Sequence, residues 1–137
     1  MENCIFCKIV NNEIPSYKVY EDDLVFAFLD INPVSKGHVL VVPKKHFKDI
    51  FEIEEKYLER IVIVGQKIAK KMKDVLGIDG ANLFQASGAC AEQSVFHFHL
   101  HVIPRSESDS LHFSHVALGD ISEEEFKEVA TKLKIEA

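Results

Sequence analysis

The segment His97-Phe98-His99-Leu100-His101-Val102-Ile103-Pro104-Arg105 carries three histidines at alternate positions. Successive side chains of an extended chain point to opposite faces, so His97, His99 and His101 share one face while Phe98, Leu100 and Val102 share the other. Alternate residues lie about 6.6 Å apart along a strand, close enough for neighbouring rings to act on one ligand. Imidazole loses solvation on burial and fills space poorly unless each ring finds a partner, so such a row points to chemistry rather than packing. On the residues alone two kinds stay open. The H-x-H pairs could hold a metal, or a neutral imidazole could attack an electrophile while its neighbours orient it and move protons, since its pKa lies near working pH.

A second group is Cys4-x-x-Cys7. It supplies two thiolates, and tetrahedral zinc needs two more ligands, for which His46 and His97 are candidates. An empty dithiol and a redox pair are the alternatives, although the strand that precedes the motif in thioredoxin-like proteins is missing. Cys90 has no partner in sequence and reads as a small loop residue.

The elements that must position these groups are legible from period and punctuation. Leu58, Ile61, Val62, Gly65, Ile68, Ala69, Met72, Val75 and Leu76 recur at three- and four-residue intervals, which predicts a helix from about Glu54 to Leu76, with lysines in its last two turns and Gly77 as its stop. Ser122-x-x-Glu125 is a capping box opening a second helix whose buried stripe is Phe126, Val129, Ala130 and Leu133. A short helix fits about Ile5 to Asn11, before Pro15. Strand-like runs cover Tyr17 to Tyr20, Leu24 to Leu29, His38 to Val42, Asn82 to Gln85 and Val95 to Ile103. Strands, then one long helix, then more strands favour an α+β fold with an antiparallel sheet over a Rossmann-type alternation. Ser106 to Asp120, rich in Ser, Asp and His, reads as a long surface loop.

Composition narrows the function classes. A chain of 137 residues with 47% apolar residues can bury a core as one domain without disulfide staples. A net charge of −6 gives no positive field for polymeric nucleic acid or an anionic membrane. No apolar run approaches the roughly 20 residues of a membrane span, and Met1-Glu2-Asn3-Cys4 lacks a basic n-region. The expectation is a soluble, cytoplasmic protein.

The chain resembles the histidine triad (HIT) superfamily, in its Hint-like branch as found in bacterial and archaeal single-domain members. His97 to Ile103 fits the pattern His-φ-His-φ-His-φ-φ, with φ apolar. The likeness continues through Cys4-Ile5-Phe6-Cys7-Lys8-Ile9, Ala27-Phe28-Leu29-Asp30-Ile31-Asn32-Pro33, Gly37-His38 to His46, and Gln93-Ser94-Val95. It covers about residues 4–105 of a single 1–137 domain, with a C-terminal loop and helix at about 106–137. The resemblance implies a five-stranded antiparallel sheet with one long helix and short terminal helices. It also implies a nucleotide hydrolase or transferase acting at the α-phosphate of nucleoside phosphoramidates or dinucleoside polyphosphates, without a catalytic metal.

By position, His99 would attack phosphorus and hold the nucleotidyl group covalently. His101 would meet the phosphate and leaving group, His38 would orient the nucleophile, and Ser94 would contact phosphate oxygens. Asp30 would bind the ribose hydroxyls. Ile5, Phe6, Ile9, Phe28 and Ile31 would hold a purine base, and Ser87 belongs to the substrate-binding set. Cys4, Cys7, His46 and His97 would bind a structural zinc. A homodimer joined through the long helix and a strand is implied as well. The run Gln85 to Ser94 departs from the family pattern, which tends to carry Asn near Ser87 and Gly at Glu92. Glu92 adds a negative charge where an anion should sit, which leaves a rival reading: a nucleotide-binding regulatory module with little turnover. A third reading gives the histidine row a catalytic ion.

Overall fold

The computed structural model, which describes residues 3–137, is built mainly from helices and strands. In chain order these are α1 (Ile5–Val10), β1 (Lys18–Glu21), β2 (Val25–Leu29), β3 (Val39–Pro43), α2 (Glu55–Leu76), β4 (Gly80–Phe84), β5 (Leu100–Arg105) and α3 (Glu123–Leu133). The strands form one five-stranded antiparallel sheet in the order β1-β2-β3-β5-β4. This is the α+β architecture expected. Residues 1–2 of the expected 1–137 domain lie outside the described residues.

The two faces of the sheet are covered differently. Ile61, Val64 and Met72 of α2 pack on Val25, Val41, Phe98 and Val102, each large side chain contributing about 1.5–3 kcal/mol by leaving water. Gly65 lets the helix lie close, because a Cβ there would stand 3.0 Å from Leu100 Cδ2. Gly77 ends α2 in the left-handed region at φ 63°. On the opposite face Phe6, Ile9 and Val10 of α1 pack on Phe26, Phe28, Leu40 and Val42. Asp22 ties the β1–β2 turn to α2. One carboxylate oxygen accepts the N–H groups of Leu24 and Val25, and the other accepts from the Tyr20 hydroxyl and Arg60.

Two expectations need correction. The histidine strand was expected from Val95, yet β5 begins at Leu100, so His97 and His99 precede the ladder. The neighbour β3 ends at Pro43, which has no N–H to donate, and the last paired residues are Val41 and Leu100. The Pro43 carbonyl is taken by the His97 ring instead, and the Phe98 N–H goes to Phe47. The second correction concerns α3. Ser122 caps it as expected, its hydroxyl accepting the Glu125 N–H at 3.1 Å. Its stripe Phe126, Val129, Ala130 and Leu133 is nevertheless exposed throughout, because none of the described residues covers it.

Candidate active site and metal centre

Although the ladder starts at Leu100, the alternation runs back from it. Phe98, Leu100 and Val102 enter the α2 core, while His97 and His99 lie edge-on to Phe6 of α1 at ring separations of 5.9 and 5.2 Å. His101 follows on the same face, 5.0 Å from His99. All three rings therefore share a face, as the spacing predicts, and His97 and His99 are almost fully buried.

Hydrogen bonds fix the tautomer of each ring, because a carbonyl only accepts and a backbone N–H only donates. Nδ1 of His99 lies 2.8 Å from the His97 carbonyl. It must carry the proton, which leaves a lone pair on Nε2. The Val34 N–H donates to Nδ1 of His38 at 3.2 Å, so the His38 proton sits on Nε2 and points to Nδ1 of His101 at 2.9 Å. His101 accepts there, which puts its own N–H on Nε2. Neighbouring rings are thus set to opposite tasks: His99 offers a nucleophilic lone pair and His101 offers a donor.

Both rings line a cavity of about 330 Å³. Ile5, Phe6, Ile9, Phe28 and Ile31 make its apolar end; Asp30 and Ser94 stand with the histidines at the polar end. Ile31 is 76% exposed and lies at the mouth. Asp30 closes the turn after β2, one oxygen accepting the Asn32 N–H at 2.8 Å and the other 3.7 Å from His38 Nε2. His38 is buried behind His101 rather than in the cavity wall. Ser87 stands outside the lining, its hydroxyl accepting the Ile50 N–H at 2.9 Å and the Gln85 amide at 2.7 Å.

Cys4, Cys7, His46 and His97 gather on the far side of His97. Cys4 Sγ lies 3.3 Å and Cys7 Sγ 3.5 Å from His97 Nδ1, Cys7 Sγ lies 3.3 Å from His46 Nδ1, and the two Nδ1 atoms are 3.1 Å apart. Bonds of about 2.1 Å to nitrogen and 2.3 Å to sulfur give a tetrahedron with edges of about 3.4–3.8 Å, within a few tenths of an ångström of these separations. The His97 tautomer suits a ligand too. Its Nε2–H donates to the Pro43 carbonyl at 2.9 Å, which turns the Nδ1 lone pair toward the sulfurs and supplies the outer hydrogen bond that metal-ligating histidines use. Burial and the neighbouring Cys4 push the Cys7 thiol up to about 11, an isolated-pair cost that a bound dication would reverse. Asp30, His38 and His101 also cluster. There the His38 proton already occupies the space between nitrogens, and the Val34 N–H prevents it from moving to Nδ1, so that cluster does not fit a metal.

Burial pushes His101 and His97 down to about 4 and also lowers His38, His99 and His46; neighbouring histidines add to it at His101, where Asp30 opposes it. The cluster is neutral at neutral pH. The unfolded chain, with histidines near 6.5, binds more protons in acid than the folded chain does, so these groups stabilise the fold above about pH 6.5 and that contribution fades toward pH 4. We expect the melting temperature to fall steadily between pH 6.5 and 4.5, and His101→Asn to flatten that fall; a flat wild-type profile would refute the assignment.

Sequence reading missed two supports. The buried Gln93 accepts the Gly88 N–H at 2.8 Å and donates to the carbonyls of Lys48 and Val95 at 2.7 and 3.1 Å, fastening the loop that carries Ser94. Its only sequence signal is its place beside Ser94. Pro43 signals a strand end, but nothing in its type foretells that its carbonyl fixes His97.

Comparison with known proteins follows the same residues. The HIT domain family model matches residues 11–108. A HIT family protein from Bacillus anthracis is 42% identical, with a TM-score of 0.90 covering 96% of this chain and 95% of its own. A Zn-bound histidine triad family protein from Mycobacterium smegmatis is 40% identical, with a TM-score of 0.79 over 82% of this chain and 81% of its own. The adenosine 5′-monophosphoramidase HNT1 of Saccharomyces cerevisiae is 40% identical over 107 residues, 78% of this chain and 65% of its own.

Proposed function

The chain belongs to the HIT domain family, and from that premise we propose that it is a nucleotide hydrolase or transferase, folded as one domain, acting at the α-phosphate of purine nucleoside phosphoramidates or dinucleoside polyphosphates. The carrying observation is the pair of opposed tautomers at His99 and His101 in one cavity wall. The yeast relative's phosphoramidase activity supports the same class.

In this reading the base enters the apolar end, against Ile5, Phe6, Ile9, Phe28 and Ile31, and Asp30 accepts the ribose hydroxyls on its free lone pairs. His99 Nε2 attacks phosphorus; the P–N bond forms as the bond to the leaving group breaks and takes its electron pair. His101 holds its N–H toward that group, and His38 keeps His101 in the donor tautomer. Ser94 meets the phosphate oxygens. Water then attacks phosphorus, breaks the bond to His99 and releases the nucleoside monophosphate. Two displacements at a neutral imidazole replace one attack by water on an anion. Ser87 serves by fastening the loop between Gln85 and Ile50.

Cys4, Cys7, His46 and His97 would hold a zinc ion, which would neutralise two thiolates and tie α1 to the sheet; no chemical step passes through it. A homodimer fits the apolar residues that α2 and the edge strand β4 leave exposed, Val62, Ile63, Leu83 and Phe84. No helix among the described residues is long and apolar enough to cross a membrane.

The test is a turnover screen over adenosine and guanosine phosphoramidates and dinucleoside polyphosphates, with acid-free trapping of a nucleotidyl-histidine. We expect label at His99 within one turnover, and hydrolysis of at least one substrate well above background. One observation favours the rival binding module. Glu92 adopts the left-handed region at φ 72°, a conformation natural to glycine, and it brings a carboxylate close in sequence to Ser94. Nucleotide binding with neither label nor turnover would select that reading instead.

A further inference from the structure

β5 ends at Arg105, and the chain just beyond it is folded round that side chain. Its guanidinium uses four of its five N–H groups. Nε and one Nη2 donor meet the two oxygens of Asp109 at 2.9 and 3.0 Å, Nη1 donates to Asn82 Oδ1 at 2.8 Å, and the other Nη2 donor goes to the Leu111 carbonyl. Asp109 accepts in turn from the N–H groups of Ser106 and Leu111 at 3.0 and 3.2 Å. Arg105 and these backbone donors hold the Asp109 carboxyl well below the usual carboxylate range. The planar fork thus joins β4, β5 and the segment after β5, a set of bonds that the point charge of a lysine cannot reproduce.

Two residues beyond Leu111, Phe113 lies against the same guanidinium, its ring centre 5.5 Å from Cζ. It stacks on Phe84 at 6.1 Å with the ring planes 13° apart. Phe84 stands directly across the β4–β5 ladder from His101, its ring 5.8 Å from the imidazole and inclined at 64°. Aromatic rings within about 7 Å of one another attract. His38 grips His101 at one atom only, Nδ1, and the torsion next to an imidazole has a broad minimum, so a ring held there can still tilt. Phe84 stands against that tilt on the β4 side. Being 43% exposed on an edge strand, it is itself backed by Phe113.

We infer that Arg105 is a positioning residue for His101, acting through Phe113 and Phe84: the guanidinium holds Phe113 on Phe84, and Phe84 holds the imidazole at the angle its Nε2–H needs to meet the leaving group. Meeting a leaving group rests on the proposed activity; the hold on the ring does not. The charged and titratable groups that face His101 are Asp30 beyond β2, His38 before β3 and His99 before β5, while β4 contains no charged residue. The Arg105 charge is paired with Asp109, so its influence on His101 travels by packing rather than by field.

Phe113 is 47% exposed, so Phe113→Ala leaves the core intact, and nitrogen-15 NMR of the imidazoles reads the ring directly. Wild-type His101 should show one tautomer, protonated on Nε2, and titrate near the value of about 4 to which burial pushes it. In Phe113→Ala and in Arg105→Lys the two tautomers should mix and the titration should rise by about one pH unit, since a wetter ring gives up the burial that lowers it; Phe113→Tyr should restore the wild-type pattern. On a substrate that the wild type turns over, Phe113→Ala should lower kcat by about tenfold, the scale of a modest misplacement, with KM within about twofold. A wild-type titration and tautomer in Phe113→Ala overturn the inference whatever the rate does, and altered His101 signals with an unchanged kcat overturn the positioning role. Altered signals in a protein whose wild type turns over nothing uphold the hold on the ring and count against the proposed activity instead.

Discussion

His99→Asn lowers turnover of an adenosine phosphoramidate by roughly 10⁴-fold or more, a loss of the size seen when a covalent nucleophile is removed from an enzyme whose binding groups remain, while KM changes by less than about threefold. Asparagine can still donate to the His97 carbonyl, so the local backbone keeps its partner; what disappears is the Nε2 lone pair. The apolar end of the cavity, built from Phe6, Ile9 and Phe28, is untouched, which is why binding should persist. His101→Asn removes only the N–H set toward the leaving group and should cost about 10²–10³-fold, in the range for a general acid. Pre-steady-state release of the leaving group, compared with steady-state formation of nucleoside monophosphate, reads both steps. A His99→Asn chain that retains a tenth of wild-type activity with an unchanged burst ends the nucleophile assignment.

What could be seen in advance divides by physical range. The face shared by His97, His99 and His101 is legible because alternation is a local property of extended backbone, and Phe98, Leu100 and Val102 declare the buried side. Where the ladder begins is not, since it depends on Pro43, a residue far off in the chain, having no N–H to offer Phe98 or His99. The tautomers of His99 and His101 are hidden for the same reason: identical in type, the two rings are made opposite by a backbone carbonyl at His97 and a backbone N–H at Val34. At α3 the Ser122 cap and the apolar stripe are local and visible, but periodicity says which face is apolar and not what lies against it. For Asp30 the resemblance implies a ribose ligand, and the geometry adds that it closes the turn after β2, one oxygen on the Asn32 N–H and the other 3.7 Å from His38 Nε2.

Cys4→Ser should abolish zinc binding and lower the melting temperature by roughly 10–20 °C while leaving turnover at 25 °C within about threefold. The estimate follows from linkage: a ligand present at about a thousand times its Kd stabilises by about 4 kcal/mol, and for a chain of this length each kcal/mol moves the midpoint by about 3–5 °C. Elemental analysis should find one zinc per wild-type chain and none in the variant, and chelation should shift the wild type to the variant's midpoint without moving the variant further. Cys4 is the informative ligand because its Sγ meets His97 Nδ1 at 3.3 Å and caps α1 by accepting the Cys7 N–H at 3.4 Å, and a serine oxygen can keep the cap while removing the thiolate. His97 is not. Its ring joins the cluster while its carbonyl holds the His99 proton, so His97→Ala would release the metal and unsettle the nucleophile together. Their comparison separates a scaffold metal from a reacting one: if Cys4→Ser costs as much turnover as His99→Asn, the ion belongs to the chemistry, and if wild-type chains bind no zinc at all, the close approach of two thiols and two imidazoles has another cause.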